Sequence, residues 1–216
     1  MPLEDVQLYI LQDAIYDFWL QAPWRWSIGA LAAQQILAGA QVTTLTASLP
    51  TDYLYLLDAH FTDGQDFVPL SVEAYLPSGS AVKGVPNKVS LIVYPPILST
   101  QPVFILDPIP TSLPNANNWY IWARYKKMAP VLTPVTIRQA GTQLFDDEYF
   151  PVFKQCVLYY AYLWGDDQRA GTMQAAQGQT QATGQLGVYK GMLDMMRAQE
   201  GLITVYKPKT QDERQT

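Results

Sequence analysis

The only histidine of the chain, His60, stands two residues after Asp58 and three before Asp63. Side chains two apart on a strand share a face, so Asp58 and His60 are spaced as a general base and the carboxylate that orients it. The nucleophile that would complete a hydrolase is missing. No Gly-x-Ser-x-Gly elbow occurs, and the one cysteine, Cys156, falls inside an apolar run that reads as a small hydrophobe on a buried helix. An Asp–His contact beside a turn is then better read as a structural hydrogen bond. Asp146, Asp147 and Glu148 offer consecutive carboxylates to a hard cation, but no calcium-loop spacing surrounds them, and negative charge at a helix start accounts for all three. Asp166 and Asp167 read as a solvated turn. Zinc wants several Cys or His ligands, and the two such residues lie far apart. Carboxylate pairs for glycoside cleavage stay open, because sequence does not give their separation. No catalytic residue, metal or cofactor is expected.

A second chemistry is binding. Arg124, Lys126 and Lys127 are interleaved with Trp119, Tyr120, Trp122 and Tyr125, a mixture that suits single-stranded nucleic acid. The net charge of −5 argues against it. The same aromatics, if Trp119, Tyr120 and Trp122 share an exposed concave patch, would suit a β-module that binds carbohydrate or another protein. Lys83-Gly84-Val85-Pro86-Asn87 is too poor in glycine, and feeds no helix, to cradle a phosphate.

The elements that must carry these residues follow from periodicity. Leu8, Leu11, Ile15, Phe18, Trp19 and Ala22 predict a helix over 4–22, ended by Pro23. Trp24-Arg25-Trp26 reads as the start of an extended strand with both indoles packed on a sheet. Short β-prone runs follow at 26–31, 40–46, 53–61, 66–70, 88–94, 103–106 and 118–126, with Thr62-Asp63-Gly64-Gln65 as a hairpin turn. Tyr53 to Leu57 is apolar on both faces and reads as a central strand. Residues 146–167 form a helix apolar on nearly all sides, capped by acids, with Pro151 in its first turn and Gly165 at its end. Residues 168–184 leave weak helix and loop both open, a last helix spans 186–200, and 201–216 is an extended tail. The expected fold class is α+β, a three-helix bundle with an antiparallel β-sandwich or partial barrel inserted at 26–138 between residues 1–25 and 139–200.

Composition sets the class. Apolar residues make up 49% and charged residues 15%, enough for a substantial core in 216 residues. Six tryptophans and fourteen tyrosines suit large interfaces as well as cores. No apolar run reaches the roughly 18 residues of a membrane span, and Met-Pro-Leu-Glu-Asp does not read as a signal peptide. A protein made and used in a cytoplasm, with no membrane partner, is expected.

The element order, with Asp17-Phe18-Trp19-Leu20-Gln21-Ala22-Pro23-Trp24-Arg25-Trp26, then Leu49-Pro50-Thr51-Asp52-Tyr53-Leu54, then Phe145-Asp146-Asp147-Glu148-Tyr149-Phe150-Pro151-Val152 and a helix closing on Gly165-Asp166-Asp167, resembles the head-to-tail adaptor (connector) proteins of tailed bacteriophages. The resemblance covers nearly the whole chain in element order and rests on aromatic, proline and acidic residues, not on a catalytic signature. It implies a non-enzymatic virion protein at the head–tail junction, assembled in the host cytoplasm as a homo-oligomeric ring of twelve. The ring would extend the DNA channel below the portal protein, bind no DNA specifically, and offer a tail or nozzle protein its attachment surface. Tyr149, Phe153, Cys156, Tyr160 and Trp164 are then the expected subunit interface. Ile203, Val205, Tyr206, Lys207 and Lys209 of the tail are the expected portal contacts. The competing readings are a tail or baseplate β-module and a small hydrolase using Asp58 and His60.

Overall fold

The computed structural model describes residues 3–62, 67–77, 79, 82–93, 101–110, 119–133, 145–176 and 179–201. The chain divides into two compact units, Met1–Trp26 with Ala129–Thr216, and Ser27–Met128.

The first unit is helical. Helix α1 (Leu3–Leu20) buries Ala14, Ile15, Phe18 and Trp19. Helix α2 (Phe150–Trp164), entered through a 3-10 turn at Asp147–Tyr149, buries Val152, Phe153 and Cys156. Helix α3 (Gly184–Gln199) buries Leu186, Tyr189, Leu193 and Met196. These stripes meet in one core, completed by Trp24 and Tyr149. Trp24-Arg25-Trp26 is not a strand on a sheet. Trp24 is fully buried, its indole N–H donates to Phe18 O (2.8 Å), and Arg25–Ser27 is a 3-10 turn. Trp26 stacks edge-on against Trp19 (4.6 Å between centroids), so both indoles serve the helical core.

The C-terminal end of α2 falls at Gly165 as expected, while the N-terminal cap differs. Asp146 makes no side-chain cap hydrogen bond; it and Glu148 pair instead with Arg25. At the C-terminus it is Asp166, not Gly165, that takes the left-handed conformation (φ 50°), with the Asp167 N–H donating back to Tyr162 O (2.9 Å). Asp167 then caps the next 3-10 turn and chelates the Arg169 guanidinium.

Residues 168–184, left open between helix and loop, begin with the 3-10 turn Gln168–Ala170 and go on into two strands before α3. Strands β11 (Met173–Ala176) and β12 (Gln179–Ala182) pair as an antiparallel hairpin between α2 and α3. Its base is closed by Thr172 and Thr183, which exchange backbone and hydroxyl hydrogen bonds. The glycines at 171 and 184 are required here: both have positive φ, and a Cβ on Gly171 would lie 1.8 Å from Thr183 O.

The second unit holds a sheet whose strand path is β1 (Ile28–Ala30), β10 (Tyr120–Lys127), β4 (Tyr53–Thr62), β5 (Phe67–Val72), β7 (Lys88–Ile92), β8 (Val103–Asp107) and β3 (Val42–Thr44), with β2 (Gln34–Gln35) also on β10. Strand β4 is interior, between β10 and β5. The β4–β5 pair forms as the turn signal predicts, with Thr62 as the last residue of β4 opposite Phe67, while residues 63–66 lie outside the described residues. Leu56, Ala59 and Phe61 all face the core although 56 and 59 differ in parity. A register shift opposite Arg124 and Tyr125 leaves Leu57 as the extra residue and returns Leu56 to the inner face. Strand β8 is buried on both faces: Phe104 and Leu106 join the main core, while Val103 and Ile105 pack with Leu76.

The three-helix bundle with an all-antiparallel sandwich or partial barrel inserted is overturned. Helix α2 packs along both α1 and α3, and the layer is completed by the Trp24–Trp26 turn and the β11–β12 hairpin, so three helices alone do not enclose the core. The inserted unit is a single sheet curled into a half-barrel, not two stacked sheets, and it includes a parallel pair, β5 with β7. A further parallel pair joins β6 (Lys83–Gly84) to β9 (Ile109–Pro110). The class is mixed α+β. Unit boundaries fall at Trp26 and Met128 because β10 ends at Lys127 and the chain then returns to the helical core through Ala129 and Leu132.

Gly171→Ala should lower stability by about 1–3 kcal/mol, the cost of a side chain in a left-handed backbone, without altering the sheet unit. A melting curve within a degree or two of wild type would refute the clamp.

Candidate functional site

The helical unit places the five predicted interface residues in two groups. Tyr149, Phe153 and Cys156 are buried in the chain's own core, so as single-chain surface they offer nothing. The Cys156 thiol lies 3.5 Å from Ala14 O, and burial pushes its pKa up, which keeps it a neutral donor and not a nucleophile. Tyr160 is half-buried, its phenol pushed up by burial and by Asp17. Trp164 remains 45% exposed, stacks on Tyr9 (6.1 Å), and donates its indole N–H to Asp13 (3.0 Å).

That contact leads to a surface the sequence reading missed. Tyr9, Asp13, Tyr16 and Leu20 recur at helical spacing and fall along one side of α1. Tyr9 (50%), Tyr16 (41%) and Leu20 (61%) are all open to solvent. On α2, every residue from Val157 to Tyr162 is only half-buried. Six consecutive positions circle a helix more than once, so the chain by itself leaves this apolar helix partly uncovered.

Arg25 is the second residue that organises this unit's surface. Its guanidinium pairs with Asp146 (3.3 Å) and Glu148 and lies 5.9 Å from the Tyr149 ring centroid. A cleft of about 300 Å³ beside it is lined by Glu148, Met196, Gln199 and Glu200, whose carboxyl is pushed above its usual range chiefly by burial. Residues 202–216, with Ile203, Val205, Tyr206, Lys207 and Lys209, lie outside the described residues.

In the sheet unit, Asp58 and His60 do share a face, yet they are not a base and its orienter. The Asp58 carboxylate is held by Arg124, through Nε at 3.0 Å and Nη2 at 2.5 Å. His60 lies between Trp122 (6.0 Å) and Phe67 (6.3 Å), and its Nδ1 is buried without a hydrogen-bond partner. The strand register aligns Trp122, His60 and Pro69 in one row and Tyr120, Thr62 and Phe67 in the next. This face is aromatic and partly exposed, with Phe67 at 62% and Tyr120 at 38%. Trp119 is not part of it, being buried at 7% and stacked on Phe61 at 4.3 Å on the opposite face. Among the described residues no group of three or more His, Cys, Asp or Glu side chains could hold a metal ion, and no helix is long and apolar enough to cross a membrane.

The basic cluster does not form a nucleic-acid track. Arg124 is committed to Asp58 and Lys127 is half-buried, while Lys126 is 1% exposed, its Nζ 2.6 Å from Ser27 Oγ. A Ser–Lys pair of this kind can serve nucleophilic catalysis, but Ser27 is also fully buried, so no substrate reaches it. Burial pulls the Lys126 pKa down to about 8. The unfolded lysine, with a pKa near 10.4, binds its proton more tightly than the folded one, so this group should make stability rise as pH climbs from about 8 to 10. We expect a gain on the order of 1–3 kcal/mol across that window in the wild type and its loss in Lys126→Met. Parallel pH profiles of the two proteins would exclude the assignment.

Comparison with known proteins adds no relative to this geometry: no protein-family model matches the chain, and no curated protein matches it in sequence.

Proposed function

We propose that the protein is a structural subunit of a phage virion, a head-to-tail adaptor whose helical unit packs against neighbouring copies in a ring. The observation that carries this is the exposed apolar stripe Tyr9–Tyr16–Leu20 on α1, continued onto Trp164, beside an α2 that its own chain leaves half-covered. Isolated exposed apolar residues are ordinary, but a continuous stripe of them marks a surface for association. Closed homo-oligomers bury such stripes against the next subunit. The element order and the motifs around Asp17–Trp26 and Phe145–Val152 favour the adaptor class within this broader reading. So does a net charge of −5, since an acidic wall would let DNA slide without adhering. The interface assigned here shifts from Tyr149, Phe153 and Cys156 to the exposed residues and to Tyr160 and Trp164. The tail from Ile203 to Lys209 is proposed to dock on the portal, and twelve copies to close the ring.

Tyr16→Glu and Leu20→Glu should fold with wild-type melting behaviour, because both sites are exposed, and should stop assembly. Sedimentation or mass photometry gives the readout: wild-type oligomers against variant monomers. Oligomers of unchanged mass in both variants would remove the stripe from the interface. Deleting 202–216 should leave the oligomer intact and abolish retention on immobilised portal; undiminished retention would refute the tail's role.

A further inference from the structure

The outer face of the sheet unit is built differently from the helical stripe. Its rings are contiguous across three strands: Phe67 on β5 meets His60 on β4, and His60 meets Trp122 on β10. Tyr120 stands two residues from Trp122 on the same face. Neighbouring strands lie about 4.8 Å apart, so the platform is roughly 10 Å across, the width of one or two sugar rings. One border is polar. Arg124 spends Nε and Nη2 on Asp58 and also lies 5.9 Å from the Trp122 ring, which leaves its Nη1–H groups and the half-exposed carboxylate beside the aromatic surface.

The geometry points to a binding site for a neutral carbohydrate on the platform formed by Phe67, His60, Trp122 and Tyr120, with Arg124 and Asp58 pairing to its hydroxyl groups. Three features select this occupant. The two charged groups neutralise one another, so a polyanion meets no excess positive charge here. The exposed portions of four rings amount to at most a few hundred Å², well below the about 800 Å² per partner that a stable protein interface needs. Aromatic faces edged by a few fixed donors and acceptors fit a ligand with apolar C–H faces and a polar rim. The site belongs to the sheet unit alone and stands or falls independently of ring assembly.

The test uses the full chain with a panel of neutral oligosaccharides, namely maltotriose, cellotriose, lactose and chitotriose, read by tryptophan fluorescence and calorimetry. At least one should bind, and Phe67→Ala and Trp122→Ala should each weaken that binding tenfold or more. Phe67 is the more exposed, so Phe67→Ala keeps the experiment decisive if Trp122→Ala unfolds. Leu20→Glu, on the helical unit, should bind the sugar as wild type does. The proposal is overturned if no oligosaccharide of the panel binds, if Phe67→Ala binds as tightly as wild type, or if single-stranded DNA or another virion protein occupies the platform in preference to sugar.

Discussion

The structure depends first on an aromatic cluster that joins two distant parts of the chain. Phe18 and Trp24 come from the N-terminal segment, Phe145 and Tyr149 from the approach to α2 and Phe153 from its first turn, and the ring centroids of the paired rings lie 4.9–5.7 Å apart. Truncating a buried aromatic of this size costs about 3–5 kcal/mol, a large share of the stability of any domain. Two polar links support the cluster: Arg25 reaches Asp146 and Glu148, and Arg197 from α3 donates to Gln21 O just beyond the end of α1. A cation there also opposes the negative end of the helix dipole. The surface pair of Arg25 contributes little by itself; the buried rings carry the association.

A discontinuous helical unit is possible because the inserted sheet unit begins and ends on adjacent strands. Ile28 pairs with Lys126 and Ala30 with Arg124, so the chain leaves and re-enters at neighbouring positions of one antiparallel ladder. The sheet unit keeps a core of its own around Phe61, Trp119, Ile121 and Leu106. Each unit thus satisfies its own burial, and each is free to carry its own surface.

Those two surfaces carry the functions proposed for the protein. The residues first suspected of chemistry are engaged in structure: Asp58 by Arg124, Cys156 by the core, Lys126 by Ser27 and the burial around it. What stays open is apolar and aromatic, a stripe on α1 and a platform on β4, β5 and β10. The two differ in chemistry as they differ in place, one proposed to meet a like subunit and the other a small polar ligand with apolar faces.

By itself the sequence determined the elements whose burial is periodic. Helix α1, the apolar helix after Pro151, the last helix, and strands β4, β7, β8 and β10 were all legible, because a 3.6- or 2-residue pattern is a local property. The interior place of β4 was expected from Tyr53 to Leu57, but β5 pairs with Ala59–Thr62 instead, and Leu54 and Tyr55 are exposed. Tertiary structure alone decided the rest. Trp24-Arg25-Trp26 looks extended in sequence, and only the packing of Trp24 against Phe18 and Tyr149 fixes it beside a 3-10 turn at Arg25–Ser27. The hairpin at 173–182 has weak propensity and depends on glycines at 171 and 184 whose φ no composition reveals. Trp119, just before β10, and Trp122 within it are three residues apart, yet one is core and the other lies half-buried on the opposite face, because strand parity separates faces and only the fold says which face is inside. The partners of Asp58 and Arg25 lie 66 and 121 residues away, a separation no local pattern encodes. Periodicity is local, whereas pairing of charges and enclosure of rings is settled by whatever the rest of the chain brings alongside.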